Sequence, residues 1–173
     1  MCLPTVKAPF VVNSARLLRL TAAIPLLVAG CGGPPPPPPP TVVDVQVNAA
    51  LDANLTPDGQ GAPVATRVYQ LGSKSGLMGA EFFPIYKSDA ATLGPDLIKK
   101  DVFLLVPGGS KTLNLTLQDP VHAIGVFAAY RDFQNSTWKA AADIPAHKTT
   151  TITITLDKAG VKLEAKPGKP ASP

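Results

Sequence analysis

Seven consecutive prolines, Pro34–Pro40, divide this chain into two parts that cannot share a secondary structure. Proline fixes φ at about −65° and lacks an N–H donor, so the run can extend neither a helix nor a sheet ladder. It is expected to form a polyproline II rod, rising about 3.1 Å per residue and reaching about 20 Å. The stretch in front of the rod and the body behind it must therefore be read separately.

The front part ends in Val28-Ala29-Gly30-Cys31, at the close of an apolar run from Leu20 to Ala29. That run is too short to span a bilayer and is broken by Pro25; Lys7, Arg16 and Arg19 precede it. A positive region, a short apolar region and small residues at its end make a secretory signal. The cysteine is the extra feature, and the four residues resemble a bacterial lipobox. The resemblance implies that residues 1–30 are removed and that Cys31 becomes the first residue, carrying a covalent diacylglycerol and an acyl chain. Residues 31–41 then form a lipidated cysteine with a proline-rich spacer. Gly32 stands where an acidic residue would retain such a protein at the inner membrane, which favours the periplasmic face of the outer membrane. The rod behind a lipidation site reads as a stand-off between membrane and body rather than as a ligand for a proline-binding domain.

Without the leader, 13 basic residues oppose 12 acidic ones, so the basic pI of the whole chain comes from the part that is removed. No face basic enough for nucleic acid is expected. Cys2 and Cys31 are the two cysteines, and the mature chain keeps one, acylated. No disulfide is then available, and the body must be held by burial.

The body, residues 42–165, reads mainly as strands. Val43, Val45 and Val47 alternate with polar residues, the period of a half-buried strand. A polar, turn-rich stretch follows, Asn48 to Pro63, too long for a hairpin turn, and loops of that length are usually functional. Val64–Leu71 is a second strand. Phe82, Phe83, Ile85 and Tyr86 are then expected on one side of a short helix that Pro84 interrupts. Ser88 opens a capped turn, which Gly94-Pro95 ends. Val102–Val106, Thr112–Leu117 and the nearly continuous apolar run Val121–Tyr130 are further strands, the last buried on both faces. Trp138 to Ile144, Thr149 to Leu156 and Val161 to Leu163 complete the set. Residues 166–173 are expected to be a disordered, proline-rich tail. The fold expected is all-β: a two-sheet antiparallel sandwich of seven to eight strands, with a small helical insertion after strand two.

Catalysis needs a constellation, and none is visible. His122 and His147 are the only histidines, and no zinc-type spacing, phosphate loop or nucleophile elbow occurs. The chain is read as no enzyme, with no catalytic residue, no metal site and no small-molecule substrate. Asn54, Asn114 and Asn135 begin sequons that read as chance in a threonine-rich strand protein. Arg131-Asp132 reads as an exposed ion pair or a turn, of little energetic worth, Trp138 as an anchor on a sheet face, and Tyr69 and Tyr130 as core residues whose hydroxyls need partners.

Several stretches, taken in order, resemble one family. They are Pro63-Val64 through Arg67-Val68-Tyr69-Gln70-Leu71, then Phe82-Phe83 with Ile85-Tyr86, Leu93-Gly94, Pro107-Gly108, and Gly125-Val126 with Ala128-Ala129-Tyr130-Arg131-Asp132 ahead of Trp138. Over about Val43 to Leu163 the chain resembles the outer-membrane lipoproteins of the type VI secretion system, the TssJ, VasD, SciN and Lip proteins. The resemblance implies a transthyretin-like sandwich with an added helix. It implies binding to the periplasmic C-terminal domain of TssM and, through it, association with TssL. In that family the loop between the first two strands is tied to partner binding, and here it maps to about Asn48–Ala62. Within it, Leu51 and Leu55 are apolar among Asn48, Asp52, Asn54 and Asp58, a composition suited to an anchor with a polar rim; the same two leucines could equally tuck back and hold the loop down. The alternative function is a periplasmic lipoprotein that binds a ligand or another protein outside secretion, and it predicts a concave, partly apolar pocket.

Overall fold

The computed structural model describes residues 37–170. Residues 1–30, Cys31 and the spacer up to residue 36 lie outside the described residues, and no helix among those described is long and apolar enough to cross a membrane. The body has eight strands: β1 Thr41–Ala49, β2 Val64–Leu71, β3 Leu97–Leu105, β4 Ser110–Leu117, β5 Ala123–Ala129, β6 Lys139–Asp143, β7 Lys148–Asp157 and β8 Gly160–Pro170. Two helices, α1 Ser75–Gly79 and α2 Phe82–Leu93, follow β2. The strands make two four-stranded sheets, ordered β4-β1-β7-β8 and β3-β2-β5-β6. This is the expected sandwich, with one departure: β1 and β7 run parallel, so the first sheet is mixed.

Alternation built the core as expected. Val43, Val45 and Val47 of β1 and Ile152, Ile154 and Leu156 of β7 are fully buried, facing Val68, Ile124 and Val126 of the second sheet. Each such side chain contributes about 1.5–3 kcal/mol by leaving water. The central strand β5 is buried along almost its whole length, because the helices cover its outer face. Gly125 leaves room for that cover. A Cβ there would stand 2.4 Å from Leu77 Cδ2 and 2.9 Å from Leu71 Cδ1, so a side chain at this position would force both buried leucines to shift.

Three expectations need correction. Pro84 does not interrupt α2, since it lies in the first turn, where the N–H has no intrahelical acceptor to lose. The break falls instead at Ser88 (φ −153°, ψ 72°), the residue that opens the second half. Nor do the four apolar residues share one side: Phe82 and Ile85 are buried, whereas Phe83 and Tyr86 are about half exposed. The tail does not begin at residue 166. β8 continues to Pro170, with Lys166 opposite Thr151 and Pro167 opposite Thr150. Proline is tolerated there because β8 is an edge strand, whose outer side needs no donor. Gly168 meets the close approach of Thr149, whose carbonyl oxygen would lie 2.9 Å from a Cβ.

A polar clamp ties α2 to the second sheet. Asp89 is buried and accepts from Lys100 Nζ at 2.8 and 3.0 Å, Arg67 Nη1 at 3.1 Å and Tyr69 Oη at 3.3 Å. Arg67 also donates to the Ile85 and Tyr86 carbonyls at 2.9 and 3.1 Å. The kink at Ser88 robs those carbonyls of their helical partners, and the guanidinium replaces them. Burial alone would raise the Asp89 carboxyl. The hydrogen bonds from Lys100 and the Ala90 N–H, with the Arg67 and Lys100 charges, outweigh it and hold the group below its ordinary value. At the far edge, Asp101 of β3 stands opposite inward-facing Val68, with one carboxylate oxygen buried and unpartnered. An inward charge on an edge strand discourages edge-to-edge pairing.

Candidate functional site at the loop pole

The strand registers give the sandwich two poles. β1 leaves the proline rod at Thr41 and enters the loop at Ala50, so its nine residues separate rod and loop by about 30 Å. At the rod's pole, His147 has a left-handed backbone (φ 60°) and its ring Nδ1 lies 2.8 Å from the Pro39 carbonyl oxygen. Its N–H donates to Thr41 Oγ1 at 2.9 Å. The end of the rod is thus clasped to the body.

At the other pole the loop lies beside three turns: β3–β4, β5–β6 and β7–β8. Ala50 N–H donates to the Leu156 carbonyl at 2.8 Å, and Gly108 N–H to the Ala49 carbonyl at 2.9 Å. Asn54 pins the middle of the loop. It is buried, adopts φ 53°, donates from Nδ2 to the Pro63 carbonyl at 2.9 Å and accepts the Arg131 N–H on Oδ1 at 2.8 Å. Asparagine tolerates that left-handed conformation better than most residues. Beyond it Thr56–Gln60 closes a tight turn, with Thr56 N–H to Gln60 O at 2.8 Å and Gly59 N–H to Thr56 O at 2.9 Å.

The six loop residues singled out from sequence therefore divide. Asn48 belongs to β1, paired with Ser110 and Thr155, and is not in the loop. Asn54 is spent on holding the loop in place. Asp58 is exposed at the tip of the turn, and Asp52 and Leu55 are half-buried. Leu51 is the outward anchor: it is 79% exposed, and its side chain rests against Gly108. It has company, because Leu104, Val106 and Phe83 are each more than half exposed at the same end. Exposed apolar side chains gathered in one region mark an interaction surface more often than chance.

Two hollows adjoin the loop. A polar cleft of about 410 Å³ lies between Asn54–Pro57 on one side and Arg131, Asp132, Asn135 and Lys158 on the other. A shallower groove of about 340 Å³ runs between Phe83 and Tyr86 of α2, Ala129 and Phe133. Of the two readings of Arg131-Asp132, the turn holds and the ion pair does not: both residues lie in the β5–β6 turn, where both Asp132 oxygens accept from Asn135 Nδ2, at 2.9 and 3.0 Å. Tyr69 finds its hydroxyl partner in Asp89, but the Tyr130 hydroxyl is buried with none. Burial, and then the carboxylates of Asp157 and Asp52, push the Tyr130 phenol above its ordinary value. Trp138 is the anchor expected, edge-on to Phe82 at 5.3 Å. Sequence reading missed Lys158 and the part played by residues 130–136, although the resemblance ran through Tyr130-Arg131-Asp132. No group of three or more His, Cys, Asp or Glu side chains placed to hold a metal occurs among the described residues.

Residues 41–159 match the family described as "Type VI secretion lipoprotein, VasD, EvfM, TssJ". The T6SS lipoprotein TssJ1 from Pseudomonas aeruginosa is 34% identical, with a TM-score of 0.71, over 76% of this chain and 100% of that one. Lip from Serratia marcescens, a membrane-bound component of the type VI secretion system, is 25% identical, with a TM-score of 0.65, over 77% and 99%. A chain in a structure described as the T6SS protein TssM C-terminal domain (869–1107) from EAEC is 22% identical, with a TM-score of 0.61, over 70% and 99%. No curated protein sequence matches the chain.

Proposed function

The chain belongs to the type VI secretion lipoprotein family, and from that premise we propose that it is a structural tether within the secretion system's membrane complex. Acylated Cys31 holds it to the periplasmic face of the outer membrane. Its loop pole takes the periplasmic C-terminal domain of TssM and, through it, joins TssL. A single acyl chain binds a membrane only marginally, whereas the diacylglycerol and further acyl chain of a mature lipoprotein anchor it firmly.

One observation carries this reading: the rod and the loop leave β1 at opposite ends. A body hung from one membrane by the rod's pole presents the loop pole to whatever reaches it from the other side. The exposed leucine, the two hollows and the gathered apolar side chains all lie at that far pole. Chains of this fold in structures described as "Type VI membrane complex" and as the TssM C-terminal domain lend support. The ligand-module alternative loses ground because aliphatic side chains fill the space between the sheets.

The test has two arms. Cys31→Ser should leave the protein soluble in the periplasm, and sedimentation of that variant with outer membrane would sink the anchoring. Replacing residues 55–60 with a Gly-Ser linker spares Asn48 and Asn54. It should abolish capture of the periplasmic TssM fragment while the melting curve holds. Unchanged capture would remove residues 55–60 from the interface and leave Leu51 as the loop's remaining contact.

A further inference from the structure

The polar cleft and the aromatic groove share three lining residues, Asn54, Tyr130 and Arg131, so they are two halves of one depression running from the loop to the start of α2. Their chemistry is complementary. The groove is walled by Phe83 and Tyr86, which stay about half exposed while their neighbour Phe82 is buried. Phe83 is held rather than loose, edge-on to Phe133 at 5.1 Å and to Phe82 at 5.5 Å, with Lys87 Nζ 5.8 Å from its ring centroid. A partly exposed ring fixed by other rings presents apolar surface at little cost in lost freedom on binding.

The cleft carries cations. Arg131 and Lys158 line it, and the salt bridges among the described residues all use other side chains. Its one acidic lining residue, Asp132, is engaged by a neutral amide. Of the two carboxylates that approach Tyr130, Asp157 and Asp52, the first is already paired with Lys162. Tyr130 lines both halves, and its hydroxyl is buried and unpartnered, a group of a kind that normally finds a partner.

We propose that this depression is a two-part socket for a partner segment that carries a large apolar or aromatic side chain beside a carboxylate. The ring enters the groove against Phe83 and Tyr86, and the carboxylate enters the cleft between Arg131 and Lys158. The identity of that partner rests on the TssM reading; the chemistry of the socket does not. Interaction would then extend beyond the loop to residues nearly 80 positions along the chain. Arg131, whose N–H the loop residue Asn54 accepts, links the two.

N-acetylphenylalanine carries both required groups and serves as the probe, with its uncharged amide as control. Titrated into the mature protein bearing Cys31→Ser, the acid should shift NMR signals of Phe83, Arg131 and Lys158 at millimolar concentration, and the amide should shift them far less. Arg131→Glu with Lys158→Glu should erase the response at an unchanged melting temperature, and Phe83→Gln should weaken it severalfold. Absence of shifts in the unaltered protein, or an equal response to the amide, overturns the socket. The periplasmic TssM fragment is measured in parallel. Failure of the unaltered protein to bind it counts against the tether reading alone, because the probe titration still decides the socket. If the fragment binds, the double reversal should lower its affinity tenfold or more and flatten its salt dependence; unchanged affinity excludes the socket from that interface.

Discussion

The space between the two sheets and the loop pole obey opposite rules. Between the sheets the inward side chains Val43, Val45 and Val47 of β1 and Ile152, Ile154 and Leu156 of β7 are aliphatic and fully covered, and none of them could serve a partner without unfolding the body. At the loop pole the large apolar residues Leu51, Phe83, Leu104 and Val106 point out, and polar atoms fix the backbone instead. The same residue types thus do two jobs. Interior leucine and isoleucine set stability through burial, and exterior ones offer surface. A substitution should report which job a position has, by moving stability in one region and affinity in the other.

The largest stability effect is expected from Ile154→Ala. The side chain is fully buried and packed between sheets that cannot close over the void. The lost transfer energy and the cavity together should cost about 3–4 kcal/mol, read as a lowered urea midpoint with unchanged slope. A loss below about 1 kcal/mol would mean that the interior is not close-packed, and the contrast with the pole would fail.

Asp89→Asn tests a part of the interior that is polar. The buried carboxylate answers two cations, but Lys100 is 40% exposed and Arg67 22%, so solvent screens part of the attraction. We expect a loss of about 2 kcal/mol at neutral pH, well short of a fully buried pair. The folded-state carboxyl is held below its ordinary value of 3.8, so its contribution is complete above that value. It is lost as pH falls through 3.8 and on through the lower folded value. The unaltered protein should therefore lose stability over that acid range more steeply than Asp89→Asn does. Parallel acid limbs in the two proteins would show that Asp89 is not charged where the clamp needs it.

Legibility in the sequence followed the same division. Strand alternation is local, so Val43-Val45-Val47 and Ile152-Ile154-Leu156 announced both their element and their inward face. The helix after β2 was legible too, but which of Phe82, Phe83, Ile85 and Tyr86 turn inward depends on the covering contact with β5. The extension of β8 was hidden because prolines signal an ended structure unless the strand is known to lie at an edge. The loop could be placed by its length and turn residues, but not resolved. Asn54 and Asp58 look alike in a polar stretch. What separates them is a hydrogen bond from Arg131, 77 positions away, and no periodicity carries that. The family resemblance pointed to the loop as a whole and ran through Tyr130-Arg131-Asp132 without assigning it a role.

The smallest stability effect, and the sharpest discrimination, is expected from Leu51→Ala. Its side chain is 79% exposed and leans on Gly108, so truncation opens no cavity and leaves no buried polar group unpaired. Stability should change by less than about 0.5 kcal/mol. An exposed leucine in reach of a partner can still be an anchor, and an anchor that desolvates fully on binding costs about 1–2 kcal/mol when truncated, near tenfold in Kd. Melting curves of the mature protein and titration of the periplasmic TssM fragment measure the two quantities separately. Unchanged stability with weakened binding would place Leu51 under the pole's rule. Weakened stability with unchanged binding would mean that Leu51 holds the loop down, and the outward apolar residues of this pole would have to be read as packing that the fold left uncovered.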